Sequence, residues 1–172
     1  LDVRAVGLNF RDVLNVLGAY PGDPGPPGGD CAALVVASWS GSPLRSGEPI
    51  FGYGTAPLAS TCLTTEPVIA RKPAAFTFEQ ASTLPTVWNT VHDSLRASVT
   101  RARHRIFLHA AAGGVGLVAV EYGHWLRTRL LGTAGRPSKH CHLRALQVPR
   151  LASSREAGPL AAGAAEQIRG QR

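Results

Sequence analysis

The chain of 172 residues is long enough for one medium domain or two small ones, and it carries a net charge of +7. No apolar run approaches the length of a membrane span, and no segment resembles a signal peptide. Cys31, Cys62 and Cys141 are an odd, scattered set without the CxxC spacing of a zinc knuckle. We therefore expect a cytoplasmic protein in a reducing compartment, without a disulfide framework.

The charge is distributed unevenly along the chain. Residues 1–95 hold five basic and eight acidic side chains, whereas residues 96–172 hold thirteen and three. Such asymmetry can indicate nucleic-acid binding, but Phe107, Tyr122 and Trp125 of the basic half lie within apolar strand or helix patterns. Stacking on bases would need exposed aromatic side chains between the arginines. We expect no nucleic-acid partner, and attribute part of the charge to a phosphorylated cofactor or an acidic carrier protein.

The first 80 residues predict a mostly β domain with one short helix. The helix pattern covers residues 11–17, ends at Gly18, and precedes a loop of only Gly, Pro and Asp over residues 22–29. Strand patterns cover residues 2–10, 30–38, 50–52, 58–63 and 68–70. Short strands separated by turn residues are typical of a small distorted barrel.

A second domain is predicted over residues 81–172. The pattern becomes helical from residue 78, and residues 84–95 predict a helix that leads into this domain. The chain contains no methionine and begins within a strand pattern, so we expect it to be a fragment of a longer polypeptide.

Residues 105–139 have the order strand, glycine turn, helix, strand, basic turn. Strand patterns cover residues 105–110 and 130–134, on either side of a helix pattern over 117–126. The glycines of the turn would let the backbone approach a pyrophosphate, whose charge would lie at the helix N-terminus. Ala111 replaces the first glycine of the GxGxxG fingerprint, so the flanking strand and helix support the prediction. A glycine-rich turn in some other α/β domain stays an alternative.

The residues after the second strand indicate which nucleotide is bound. A site for NAD usually places an acidic residue there, to bind the ribose 2′-hydroxyl. No acidic residue occurs between Glu121 and Glu156, and Arg136, Ser138 and Lys139 stand in that place. These donors suit a 2′-phosphate, so the sequence predicts NADPH rather than NADH. For Lys139 the alternative is an ordinary solvated lysine at a helix start.

Four motifs in order resemble the medium-chain reductases that lack zinc: VGLNFRDVLNVLGAYPG, HAAAGGVGL, TAGRPSK and LRAL…LASSR. Within that family the chain is similar to the enoyl reductase domains of polyketide synthases and animal-type fatty acid synthases, with quinone oxidoreductases as relatives. The resemblance covers residues 3–155. It implies an α/β plus β fold: a partial GroES-like barrel over residues 1–80, then an incomplete Rossmann domain that binds NADPH.

The resemblance also implies a reaction and partners. Hydride would pass from NADPH to the β-carbon of an α,β-unsaturated thioester on an acyl carrier protein, beside other synthase domains of the same polypeptide. A free-standing quinone or enone oxidoreductase is one alternative. An inactive scaffold or a basic fragment that binds nucleic acid is another. We expect the fragment alone to be marginally folded and inactive.

We expect no metal. Zinc-dependent relatives carry Cys-His where this chain has Asn9-Phe10, and His-Glu where it has Gly29-Asp30. A catalytic zinc needs three protein donors, and these replacements remove them. The run His140-Cys141-His142 is not an obvious substitute, because adjacent side chains on a helix or strand point in different directions.

Two catalytic residues follow from the resemblance. Tyr20 would donate the proton to the α-carbon or shape the face that receives it, unless it is a loop aromatic that covers the barrel. Lys139 matches a lysine proposed in the family as proton donor or phosphate contact, and we favour the phosphate contact. The family often has Asp where Glu156 stands, which puts a Lys–acid pairing in doubt.

The cofactor-binding residues that the resemblance implies lie in both domains. They are Asn9 near the nicotinamide, Thr90, Gly113, Gly114, Val115 and Gly116 at the pyrophosphate, Gly135, Arg136, Ser138 and Lys139 at the 2′-phosphate, and Ser154 and Arg155 near the adenine. The alternative for Asn9 is a turn-capping amide, and for Thr90 a hydroxyl that bonds its own helix.

Three positions depart from what the pattern prefers. The family usually has Gly where Arg127 ends the helix, so arginine there would adopt a left-handed conformation if the turn is kept. Gly123 within the helix and Gly132 within the second strand should each weaken their element by roughly 0.5–1 kcal/mol relative to alanine.

Overall fold

The computed structural model describes residues 1–156 together with Gly158, Ala161, Ala162 and Ala165, so the end of the predicted second domain lies outside the described residues. The chain divides into two compact units, Leu1–Thr86 and Val87–Arg172. Within the described residues, no helix is long and apolar enough to cross a membrane.

The first unit contains an antiparallel sheet of four strands in the order β1-β2-β3-β4. The strands are β1 (Asp2–Gly7), β2 (Asp30–Leu34), β3 (Pro49–Tyr53) and β4 (Ile69–Arg71). Helix α1 (Phe10–Val16) follows β1, a 3-10 turn (Glu66–Val68) precedes β4, and α2 (Phe78–Ser82) follows it. The β character predicted for this half is confirmed, whereas the GroES-like barrel stays a prediction.

Small side chains on β2 allow close packing in the first unit. Ala33, Val35 and Ile50 form a buried cluster, and the Cys31 thiol is fully buried on the same strand. Burial, with the neighbouring Cys62 thiol, raises the pKa of Cys31 to about 12. Cys31 is therefore a protonated, unreactive core residue at neutral pH.

The prediction of a strand over residues 58–63 was wrong. Only isolated bridges form there, from Thr61 to Asp2 and from Leu63 to Thr55. Hydrogen bonds from Val3 N to Ser60 O and from Cys62 N to Leu1 O tie this segment to the start of β1. Its side chains are mostly exposed, so no buried face stabilises a regular ladder.

The second unit contains a parallel three-stranded sheet with helices between the strands. Its elements are α3 (Pro85–Ala97, whose first two residues belong to the first unit), β5 (Arg105–Leu108), α4 (Gly114–Trp125), β6 (Arg129–Ala134), α5 (Pro137–Ala145) and β7 (Arg150–Ser153). Strand β6 lies between β5 and β7 and pairs with both in parallel. The predicted Rossmann-like parallel sheet is thus confirmed.

Two glycines that the sequence marked as weak points have packing roles. A Cβ on Gly123 of α4 would lie 2.7 Å from Leu130 Cδ2, and one on Gly132 of β6 would lie 3.1 Å from Ala111 Cβ. Glycine at both positions lets helix, turn and strand approach closely. The prediction for Arg127 is confirmed, because it ends α4 with φ of 56°.

Two predicted features of the basic half need correction. Residues 135–139 do not form a simple turn, because Pro137 opens helix α5 and places Ser138 and Lys139 in its first turn. Trp125 is not buried in α4 but is 73% exposed near its end, where it contacts the Tyr122 ring. Burial of the aromatic side chains therefore cannot serve as the argument against nucleic-acid binding.

Gly7 gives a test of packing in the first unit. A Cβ on Gly7 would lie 2.1 Å from the backbone oxygen of Ser82, so Gly7→Ala must displace α2. We expect the free energy of unfolding to fall by about 1–3 kcal/mol, as measured by denaturant titration.

Gly29→Ala is the matched control for Gly7→Ala. Nothing lies within 4 Å of the added methyl, and the backbone of Gly29 is outside the left-handed region. Equal stability loss in both variants would contradict the proposed packing of α2 against β1.

Candidate functional site

The glycine turn after β5 exposes the start of α4. Gly113 caps this helix without a side-chain hydrogen bond, and Gly113, Gly114 and Val115 are exposed. The first N–H groups of a helix have no partner within the helix, and its dipole makes this end positive. The turn therefore presents a surface suited to a phosphate.

Thr133 on β6 fixes the glycine turn. Its hydroxyl accepts a hydrogen bond from Ala110 N at 3.1 Å and lies 3.1 Å from His109 Nδ1. Its carbonyl accepts a second bond from Ala111 N at 2.8 Å. The side chain is completely buried, so the turn is held from the interior and not by solvent-exposed groups.

Sequence reasoning missed Thr133. The available signal was a lone hydroxyl in the apolar run Leu130 to Ala134, since a buried hydroxyl needs a partner.

Gly116 completes the turn by its lack of a side chain. A Cβ there would lie 2.5 Å from Ala111 O and 2.6 Å from Ala111 C. Gly116 is buried, unlike Gly113 and Gly114. It therefore allows α4 to pack against the turn, which is the role of the third glycine in a dinucleotide fingerprint.

The basic residues after β6 lie at the start of α5. Arg136 is the N-cap residue, and Ser138 and Lys139 follow in the first turn, all three exposed. The first turn has no acidic residue and no side-chain cap. Since the carboxyl ends of parallel strands meet at one edge of a sheet, this segment lies beside the glycine turn.

Ser154 and Arg155 follow β7 at the same edge. Ser154 N donates to Ala134 O at 3.2 Å, which continues the β6–β7 ladder by one bond. A Cβ on Gly135 would lie 2.8 Å from Arg155 Nε. Apart from Thr90, the cofactor-binding residues predicted for the second unit therefore lie together at the ends of three adjacent strands.

His140, near this edge, has a structural partner. His140 Nε2 donates to Ala134 O at 2.8 Å, which fixes α5 against the end of β6. Cys141 and His142 are exposed on the same helix. In the described residues, no three His, Cys, Asp or Glu side chains are grouped as metal ligands.

Asn9 belongs to a polar cluster within the first unit. Asn9 Nδ2 donates to Asp30 Oδ2 at 3.1 Å, and Asn9 N donates to Asp12 Oδ2 at 2.8 Å. Asp30 also accepts from Thr86 N at 3.2 Å and Thr86 Oγ1 at 2.7 Å. Asp12 and Asp30 are both buried, and several donors satisfy each carboxylate.

This cluster orients the amide of Asn9. Sequence reasoning missed Asp12 and Thr86 and treated Asp30 only as a zinc-site replacement.

Two predicted site residues stand apart from these groups. Tyr20 is half-buried in the loop after α1, within the first unit. Thr90 is on α3 in the second unit, where its carbonyl accepts from Ser94 Oγ at 2.6 Å. Asn9 and Tyr20 therefore belong to one compact unit, and the remaining predicted residues to the other.

Comparisons with known proteins place these features in a family. No protein-family model matches the chain. The chain is 37% identical to the erythronolide synthase EryA2 of Saccharopolyspora erythraea over 162 residues, 92% of the chain and 4% of the synthase. A similar match, 37% over 90% of the chain and 4% of the relative, involves the pikromycin synthase component PikAII of Streptomyces venezuelae.

Solved structures agree with these matches. The CurK enoyl reductase is 32% identical with a TM-score of 0.82, over 91% of this chain and 51% of that one. The quinone oxidoreductase of Pseudomonas syringae is 28% identical with a TM-score of 0.83, over 99% and 54%. The chain is thus similar to polyketide synthases and to solved enoyl reductases and quinone oxidoreductases of the medium-chain dehydrogenase/reductase family.

The chain spans about half of the length of the solved reductases and a small part of the synthases that it matches. Another similar structure, the quinone oxidoreductase of Thermus thermophilus, was solved alone and in complex with NADPH. It is 28% identical with a TM-score of 0.72, over 89% of this chain and 50% of that one. The predicted resemblance is confirmed.

Thr133 gives a test of how the glycine turn is held. Thr133→Val keeps the shape but removes the acceptor of Ala110 N, so we expect about 1 kcal/mol less stability. Hydrogen exchange at the Ala110 amide should become faster, whereas Thr133→Ser should preserve its protection. Unchanged exchange in the valine variant would contradict the role assigned to this hydroxyl.

Proposed function

We propose that the chain is part of an NADPH-dependent enoyl reductase domain of a polyketide synthase. The observation that carries this proposal is its 37% identity to EryA2 over 92% of the chain. The 32% identity to the CurK enoyl reductase adds a solved enzyme of the same kind. The substrate is an α,β-unsaturated acyl thioester on an acyl carrier protein, and the other synthase domains belong to the same polypeptide.

The residues at the carboxyl edge of the parallel sheet fit a phosphorylated dinucleotide. The pyrophosphate would lie over the start of α4, where Gly113, Gly114 and Val115 leave the first N–H groups accessible. Gly116 keeps the helix close to the turn, since a Cβ there would overlap the Ala111 backbone. The NADPH complex of the Thermus relative supports the same assignment.

NADPH is favoured over NADH by charge. Arg136, Lys139 and Arg155 follow two neighbouring strands, and no acidic residue occurs between Glu121 and Glu156. A ribose 2′-hydroxyl would lack the usual carboxylate partner, whereas a 2′-phosphate would find cationic donors. Ser138 adds a hydroxyl in the same helical turn, and Ser154 lies on the adenine side.

When bound, NADPH would supply a hydride for the substrate β-carbon, and the protein would supply orientation and a proton. In this proposal the Tyr20 phenol gives its proton to the α-carbon, or shapes the face that receives it. Lys139 acts as a phosphate contact, because it lies exposed in the first turn of α5 among the other donors. Asn9, whose amide is bound by Asp30, would contact the nicotinamide, and Thr90 would be a further cofactor-binding residue.

The proposal includes the finer domain description. Residues 1–80 form part of a GroES-like substrate domain, supported by the antiparallel sheet. Residues 81–172 form part of the Rossmann domain. The protein is cytoplasmic, uses no metal and binds no nucleic acid in this proposal.

A quinone oxidoreductase is the second candidate. It is favoured by the 28% identity and TM-score of 0.83 with the Pseudomonas enzyme over 99% of the chain. The two candidates share the cofactor site and differ in substrate.

Substrate preference separates the two candidates. The intact protein that contains this chain is assayed with NADPH against a crotonyl N-acetylcysteamine thioester and a small quinone. We expect kcat/KM to be higher for the thioester by at least about tenfold, because a synthase domain is shaped for a carrier-tethered acyl chain. A preference for the quinone would contradict the polyketide assignment.

The basic residues at the start of α5 give a test of cofactor choice. We expect the double variant Arg136→Ala/Lys139→Ala to weaken NADPH binding by roughly ten- to a hundredfold, because it removes charge-assisted hydrogen bonds. NADH binding, measured by fluorescence titration, should change little. A matched loss for both nucleotides would show that these residues do not contact the 2′-phosphate.

A further inference from the structure

A cavity of about 250 Å³ lies at the starts of the three parallel strands of the second unit. Arg105, Arg129 and Arg150, the first residues of β5, β6 and β7, all line it. Parallel strands begin at one edge of their sheet and end at the other, so the cavity lies at the edge opposite the glycine turn and the start of α5. It is therefore separate from the candidate cofactor site.

The strand register brings the three arginines to one face of the sheet. Arg105 is the direct partner of Arg129, and Arg150 is the partner of Leu131, two residues further along β6. Directly paired residues share a face, and side chains two positions apart on a strand point to the same side. Three neighbouring strands thus carry guanidinium groups on the same face, and Arg129 belongs to the central strand.

This positive charge has no acidic neighbour among the described residues that line the cavity. Like charges on directly opposed residues destabilise a sheet. Within the described part of the chain, the exposed Arg129 side chain has no ion-pair or hydrogen-bond partner. Arg105 and Arg150 take part in other interactions, so their role here depends on their charge and position.

The helix ends at this edge offset only part of the charge. Helices α4 and α5 both end here, and each helix C-terminus is equivalent to roughly half a negative charge. Their last carbonyls also have partners of their own. Leu146 O accepts from His124 Nε2 at 3.0 Å, and Arg144 O accepts from Gln147 N at 2.9 Å. An anion in the cavity would meet the positive charge that the helix ends do not cancel.

The size and the donors of the cavity suit a small oxyanion. Pockets for drug-sized ligands usually exceed roughly 300 Å³, so a volume of about 250 Å³ suits an ion with a few water molecules. A guanidinium presents a planar fork of N–H groups that can bind two phosphate oxygens at once. The amide of Gln147 lines the same cavity and can add a neutral donor.

We propose that this cavity binds a phosphate-class oxyanion, with Arg129 as the central contact between Arg105 and Arg150. The ligand is inorganic phosphate or the phosphate group of a small monoester, which share this chemistry. Bound there, the anion offsets the repulsion between the first residues of three strands and stabilises the start of the sheet. The inference does not depend on the proposed function, because none of these residues is assigned to the cofactor or to the reaction.

Hydrogen exchange, measured by mass spectrometry on the intact protein that contains this chain, gives a local test. NADPH is present so that phosphate does not occupy the cofactor edge, and chloride keeps the ionic strength constant because screening alone weakens charge repulsion. We expect inorganic phosphate to slow exchange in peptides that cover the starts of β5, β6 and β7. Peptides over residues 135–140 report on the cofactor edge and should not respond.

Variants of Arg129 test its central role. Arg129→Gln should raise the phosphate concentration that gives half of the protection by at least about tenfold. Arg129→Lys keeps the charge without the planar fork and should give an intermediate value. Arg144→Gln is the matched control, because Arg144 is exposed on α5 and is not among the described residues that line the cavity. It should respond like the unsubstituted protein.

Exchange without phosphate distinguishes binding from a folding defect. In phosphate-free buffer, Arg129→Gln should exchange no faster at the strand starts than the unsubstituted protein, because it removes a like charge opposite Arg105. Faster exchange would show that the helix carbonyls already balance Arg129 and would contradict the inference. An absent response to phosphate, or an equal response in Arg129→Gln, would also overturn it.

Two further ligands identify the source of the anion. A response to glycerol 3-phosphate at lower concentration than to inorganic phosphate indicates a monoester, whereas an equal or weaker response indicates the free ion. Protection confined to residues 135–140 would place phosphate at the cofactor edge alone and reject the inference. Protection by a polyglutamate peptide but not by phosphate would indicate a surface for acidic protein segments and reject it as well.

Discussion

The central strand β6 is the constraint on which the candidate cofactor site depends. Its residue Thr133 bonds the turn after β5 through both its hydroxyl and its carbonyl. Its next residue, Ala134, accepts bonds from His140 of α5 and from Ser154 after β7. One short strand end thus fixes the glycine turn, the start of α5 and the arginine segment relative to each other.

Glycine has two different effects in this half of the chain, and sequence alone gives only one of them. Judged by propensity, Gly123 and Gly132 weaken a helix and a strand. In the fold, Gly123 admits the Leu130 side chain and Gly132 admits Ala111, so each loss of propensity accompanies closer packing. Arg127 is the opposite case. The residue that ends α4 keeps a left-handed backbone conformation, although it is an arginine and not the glycine that this conformation favours.

The sequence was sufficient for the order of β5, α4 and β6 and for the basic residues that follow β6. The alternation of short apolar runs with a glycine turn predicts β5, α4 and β6, and the basic segment predicts a second phosphate contact. The polar cluster of Asn9, Asp30 and Thr86 could not be predicted, because its members are far apart in sequence and meet only through tertiary folding. The segment over residues 58–63 was misjudged because strand pattern alone does not show whether a partner strand lies alongside.

Six basic residues of the second unit form two groups at opposite edges of the parallel sheet. Arg136, Lys139 and Arg155 lie at the carboxyl edge of the parallel sheet, where the starts of α4 and α5 already favour anions. Arg105, Arg129 and Arg150 open the three strands at the opposite edge, around a cavity that His124 also lines.

Helices α4 and α5 end at that opposite edge, where their terminal carbonyls favour cations, and His124 Nε2 lies 3.0 Å from Leu146 O. The two groups of cations therefore lie in different electrostatic environments. The group at the helix N-termini is suited to a bound phosphate, whereas the group at the opposite edge is suited to the negative carbonyl ends of the helices. The division of charge between the two edges follows from the parallel topology, and it accounts for an arginine at the start of every strand of this sheet.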